Sequence, residues 1–231
     1  MRKMLVILAV LAAAAPVLAA QLAVGAPQPL GTSPAVRGTS VYANTTTVVT
    51  GWYDNDYGTG AQHEFGDRVT ATAGGIVDEV TFSVFNYDAT THNPPLPLDS
   101  ADLTVRFYNM VANVPVYAGG VVFSAVPLNL PSGYYTSLAS GDGLSIYNIS
   151  VGTDVLMTLQ ISNTTGGSFG YGQVAADPPT IGSSNNDEFW EDGVFYSGFA
   201  PNANLYYEYS VVPEPAALAI LAFGALLLRR R

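Results

Sequence analysis

Val80-Thr81-Phe82-Ser83-Val84-Phe85-Asn86 is the stretch whose reading decides the fold. Successive side chains on a strand point to opposite faces, so Val80, Phe82 and Val84, with Asn86, face one way while Thr81, Ser83 and Phe85 face the other. A helix would instead return its apolar residues every three or four positions. The pattern recurs at Leu103, Val105, Phe107 and Asn109, opposite Thr104, Arg106 and Tyr108. Working outward, similar β-branched and aromatic runs occupy 41–52, 77–87, 114–126, 144–150, 154–162, 168–176, 189–199 and 204–212. Turn signals lie between many of these runs: Gly74-Gly75, Asn93-Pro94-Pro95, Pro131-Ser132-Gly133, Gly141-Asp142-Gly143, Gly166-Gly167 and Asp177-Pro178-Pro179. About nine or ten short strands and no persuasive amphipathic helix predict an all-β domain. The expected form is an antiparallel β-sandwich, jelly-roll-like, with a barrel as the alternative. The lack of a fixed-period repeat argues against a propeller or solenoid.

The charges are unevenly placed along the 231 residues. Between Gln21 and Val212 the only cations besides histidine are Arg37, Arg68 and Arg106, against 17 of the 18 acids, so that stretch carries 3 − 17 = −14. So acidic a surface repels phosphate backbones, which bind through lysine and arginine, and nucleic acid is not expected as a partner. There is no cysteine. That excludes disulfide frameworks, thiolate metal sites and cysteine nucleophiles.

The other cations sit at the two ends. Arg2 and Lys3 precede an apolar run from Met4 to Ala15, then Pro16 and small residues at Ala19 and Ala20. This order predicts a signal helix over 1–20, removed by signal peptidase after passage through the Sec translocon, with a permanent N-terminal anchor as the alternative. Residues 21–38 are rich in proline, alanine and glycine and read as a flexible lead-in, and 39–211 as the β domain. At the far end Val212-Pro213-Glu214-Pro215 precedes Ala216–Leu228 and then Arg229-Arg230-Arg231. The two prolines end the strand pattern, because proline neither continues a ladder nor sits inside a helix. Thirteen apolar residues make about 20 Å of helix, short of a bilayer core of about 30 Å, so the predicted transmembrane helix suits a temporary tether. The arginines favour the cytoplasmic side and leave the acidic domain outside.

The Pro-Glu-Pro motif, apolar helix and basic tail at 212–231 resemble the PEP-CTERM sorting signal. The resemblance covers that segment together with the export signal and nothing between them. It implies that an exosortase-type membrane peptidase recognises Pro213, Glu214 and Pro215 and removes the helix and basic tail; a plain C-terminal membrane anchor without processing is the alternative. Proteins of this class are typically secreted or surface proteins of Gram-negative bacteria that make exopolysaccharide.

Candidate chemistry in the domain is sparse. In Trp52-Tyr53-Asp54-Asn55-Asp56-Tyr57-Gly58-Thr59-Gly60, side chains of Asp54, Asn55 and Asp56 on a glycine-rich turn offer the oxygens that calcium prefers. No acid closes the loop in the EF-hand position, and a solvated turn is the alternative, since these residue types dominate turns. A second group, Asn185-Asn186-Asp187-Glu188, completes such a site if the fold brings it close. No cofactor is otherwise required. His63 beside Glu64 reads as a surface pair, and with only His92 besides there is no multi-histidine site. No nucleophile elbow, His-Glu-x-x-His or phosphate-binding loop is present, and no acid pair is marked by a motif, so no catalytic residue is assigned. Trp190, among Glu191, Asp192 and Phe195, and Trp52 are candidate glycan contacts, because flat aromatic faces pack on sugar rings; core packing is the alternative. The reading is a non-catalytic exported matrix or envelope protein, with an exopolysaccharide-binding module or a secreted hydrolase as alternatives.

Overall fold

Where the two-residue period was read, strands form and pair antiparallel into two sheets. The computed structural model describes residues 22–25, 27–29, 40–45, 48–53, 62–86, 97–140, 143–166, 171–176, 179–185, 188–198 and 204–212, with backbone alone at 28–29, 48–53 and 171–176. The strands are β1 (Ala23–Val24), β2 (Gln28–Pro29), β3 (Tyr42–Ala43), β4 (Val48–Tyr53), β5 (Glu64–Thr70), β6 (Gly75–Asn86), β7 (Leu98–Val111) and β8 (Val114–Leu130). They continue with β9 (Tyr134–Ala139), β10 (Ser150–Val151), β11 (Asp154–Gly166), β12 (Tyr171–Ala176), β13 (Ser183–Ser184), β14 (Glu188–Glu191), β15 (Val194–Ser197) and β16 (Tyr207–Val212). One sheet is built around β6, which pairs with β9, β10, β12 and β16. The other runs β15-β14-β5-β11-β7-β8, with β13 added to β5.

A single apolar core joins the sheets. Val80, Phe82, Val84, Leu138, Tyr207 and Tyr209 from the first cluster with Phe65, Leu103, Val105, Phe107, Val155, Met157 and Leu159 from the second. Phe82 meets Phe123 with ring centroids 6.2 Å apart, and Phe107 meets Tyr209 edge-on at 5.6 Å. Each such ring removed from water contributes roughly 1.5–3 kcal/mol. Asn86, read on the core-facing side, is fully buried, and its amide donates to Leu130 O at 2.8 Å. That bond supplies the partner a buried amide needs.

Several local readings change. Residues 144–150 were expected as a strand, but Leu144–Tyr147 is a 3₁₀ turn flanked by left-handed Gly143 (φ 112°) and Asn148 (φ 52°), and only Ser150–Val151 pairs. Asn148 N–H bonds Ser145 O at 3.1 Å, so a local bond replaces a ladder bond. The run at 189–199 is a hairpin, because Asp192 (φ 43°) and Gly193 (φ 97°) form a two-residue turn of the primed type that twisted strands favour. The run at 41–52 divides into β3 and β4. Strands β5 and β9 were not foreseen. Within the expected lead-in, Ala23–Val24 and Gln28–Pro29 pair with β9. Segments 1–20 and 213–231 lie outside the described residues, and no helix among the described residues is long and apolar enough to cross a membrane.

Candidate functional site

Chemistry concentrates on the outer face of the β5–β11–β7 sheet, opposite the core. Register places Trp190, Gly66, Thr158, Arg106 and Gly120 in one cross-strand row. Rows on either side hold Glu64, Gln160 and Thr104, and Arg68, Leu156, Tyr108 and Tyr117. Alternation requires this: Phe65, Phe107 and Phe189 point into the core, so Glu64, Tyr108 and Trp190 point away from it.

Glu64 is the hub of this face. Its Oε1 accepts hydrogen bonds from Tyr108 O–H at 2.7 Å and Thr158 O–H at 2.5 Å, and its Oε2 lies 3.0 Å from the Arg106 guanidinium. Arg106 also donates to Gln160 Oε1 at 3.1 Å. Burial, then the bond to Glu64, holds the Tyr108 hydroxyl well above its usual value, so it stays a donor at any physiological pH. Beside this hub, His63 Nδ1 and Asp192 Oδ2 are 2.5 Å apart, and Asp192 Oδ1 accepts from Glu64 N–H at 2.8 Å. His63 was expected at the surface; its side chain is 22% exposed and held to the β14–β15 turn.

Trp190 is only 6% exposed but does not belong to the inter-sheet core. It lies against Tyr108 (centroids 5.9 Å), which in turn meets Tyr117 edge-on at 5.5 Å. Trp190 Nε1 has no hydrogen-bond partner among the described residues. The absence of side chains at Gly66 and Gly120 leaves room in this row: a Cβ on Gly66 would meet Met157 O and lie 2.8 Å from Thr158 Cα. The exposed aromatic of this face is Tyr117, at 61%.

Toward the opposite end of the same face lies an open groove of about 440 Å³, lined by Arg68, Thr70, Asp154, Ser183, Asn185 and Glu188 among others. Arg68 donates to Asp154 through Nε (2.9 Å) and Nη2 (2.6 Å), a two-pronged pair that fixes the guanidinium plane. That bonding raises the Arg68 pKa further. The groove therefore presents oriented donors, acceptors and hydroxyls with little apolar lining. It suits a hydroxyl-rich ligand better than an apolar one.

The sequence-derived candidates fall unevenly on this picture. Asp54, Asn55, Asp56, Pro213, Glu214, Pro215 and Arg229 to Arg231 lie outside the described residues, as does the side chain of Trp52, whose backbone pairs with Gln173. Of the second acidic group, Asn185 and Glu188 are described and bond each other at 3.3 Å. Among the described residues no group of three or more His, Asp or Glu is arranged to hold a metal. Sequence reading missed the Glu64–Arg106–Tyr108 hub and the Arg68–Asp154 pair. Their one advance signal was that Arg68 and Arg106 are the only two arginines of 39–211. Comparison with protein families, curated proteins and solved structures finds no match.

Proposed function

We propose that this chain is an exported, exosortase-sorted envelope or extracellular-matrix protein whose non-catalytic β-sandwich, jelly-roll-like in its connections, is the delivered cargo. The observation that carries the reading is the ordered set Pro213-Glu214-Pro215, apolar Ala216–Leu228 and Arg229-Arg230-Arg231, paired with the basic-then-apolar start at Met1 to Ala20. The domain chemistry supports a structural role: Glu64, Arg106, Asp154 and Arg68 are engaged with one another or with neighbouring side chains. The Sec translocon, signal peptidase and an exosortase-type peptidase are the partners of the journey. Intact mass of the protein recovered outside the cell tests this directly. Loss of both Met1–Ala20 and the segment after Pro215 is expected; a full-length cytosolic chain refutes it.

A second reading, a module that grips exopolysaccharide, is favoured by the polar groove beside an aromatic row. Glycan-array binding that disappears in Trp52→Ala or Trp190→Ala, with the fold retained, supports it. Binding unchanged in both variants removes these two contacts. Calcium at Asp54, Asn55 and Asp56 belongs to the same proposal: EDTA should lower the melting temperature, and Asp54→Ala with Asp56→Ala should reproduce that shift.

A further inference from the structure

The β7–β8 hairpin has a property the export reading does not use. From Phe107 to Gly141 the chain holds no Asp, Glu, Lys, Arg or His, although the whole chain carries a net charge of −10. On this hairpin Val111, Val114, Val116, Tyr117 and Val122 are 48–61% exposed. Apolar residues clustered at a surface mark an interaction site more often than scattered ones do. Among the described residues β8 is also the last strand of its sheet. A terminal strand leaves a row of backbone N–H and C=O groups without a sheet partner, ready to pair with another strand.

We infer that β8 is the surface through which two copies of this chain associate, edge to edge and antiparallel about a twofold axis. Charge selects the occupant. Two copies of an acidic chain repel each other over most approaches, and the uncharged hairpin is where that repulsion is weakest. Symmetry limits the size, because a twofold contact uses the same edge on both copies and leaves none to extend. Local geometry limits the length. Register shifts interrupt β8 between Tyr117 and Gly119 and between Phe123 and Val126. Ala125 is left-handed, and Pro115 and Pro127 have no N–H to donate. The regular run Gly119–Phe123 carries the shared ladder, with Tyr117 and Val122 packing beside it on the outer face. This association stands whether or not the sorting reading holds.

The chain has no cysteine, so a single introduced one reports its neighbour without background. Tyr117→Cys, Val122→Cys and Ser124→Cys should be made one at a time in the full chain and mildly oxidised, with exposed Thr180→Cys as the control. A disulfide requires Cα atoms within about 7 Å, so at least one position near the axis should give covalent dimer at about ten times the control yield or more. Val116→Glu with Val122→Glu places like charges across the axis. It should convert the dimer to monomer in sedimentation at unchanged circular dichroism. Crosslinking no greater than at Thr180, or species larger than a dimer in sedimentation, overturns the proposal. So does a dimer indifferent to the two glutamates, and should that variant fail to fold, the cysteine series still decides.

Discussion

Asp67 sits fully buried on the inner face of β5, between Phe65 and Val69 in a row otherwise apolar. Its carboxyl receives a long bond, 3.4 Å, from Leu205 N–H. Burial pushes its pKa well above the ordinary 3.8, outweighing the hydrogen bonds that pull it down, and the Glu188 charge adds to the rise. In the unfolded chain the same group releases its proton in the ordinary carboxylate range, so above that range the native state binds more protons. Stability is therefore fully present below pH 3.8 and is lost as pH rises toward the raised native value. The slope is set by one proton, about 1.4 kcal/mol per pH unit. Asn is nearly isosteric and cannot ionise, so Asp67→Asn removes this slope alone. The melting temperature of Asp67→Asn minus that of the wild type should climb by about 3–6 °C per pH unit across the window, given about 2–4 °C per kcal/mol for a domain of this size. Taking the difference cancels the other acids, including exposed Asp102, whose pKa the Asn163 amide and Ala125 N–H hold down. Thermal melts by circular dichroism from about pH 4 upward measure it, starting just above the unperturbed carboxylate value. A flat difference would mean the native carboxyl is ionised, and the argument from burial fails.

Three further outcomes are expected. Gly66→Ala puts a methyl group against the β11 backbone, which cannot withdraw as a side chain tip would. Urea unfolding should show a loss of about 1–3 kcal/mol, and an unchanged midpoint contradicts the close approach. Phe107→Ala empties the contact with Tyr209 and should cost about 3–5 kcal/mol in the same assay. A double-mutant cycle of Glu64→Gln and Tyr108→Phe should return a coupling of about 0.5–3 kcal/mol. Additive losses would mean that the bond from the Tyr108 hydroxyl to the Glu64 carboxylate adds nothing of its own.

How much of this was legible beforehand depends on whether a feature is local. Alternation at Val80–Asn86 and at Leu103–Asn109 declares strand and inward face, because the period belongs to the backbone itself. Strand β5 escaped notice because Asp67 interrupts its inward apolar row and Gly66 its outward one. The strand read at 144–150 fails because left-handed Gly143 and Asn148 turn the chain, which composition alone does not reveal. Glu64 and Arg106 stand far apart in sequence, and only the β5–β11–β7 register brings them to 3.0 Å.

Local order alone therefore determined the β class, the acidic middle without cysteine, and the expectation of export carried by the two ends. Pairing decided the rest. It set which sheet each strand joined, buried Asp67 between Phe65 and Val69, packed Trp190 against Tyr108 on the outer face, and left the uncharged β8 edge at the end of its sheet. Those outcomes depend on contacts between residues far apart in the chain, and a one-residue change of register would turn every side chain of a strand to its other face.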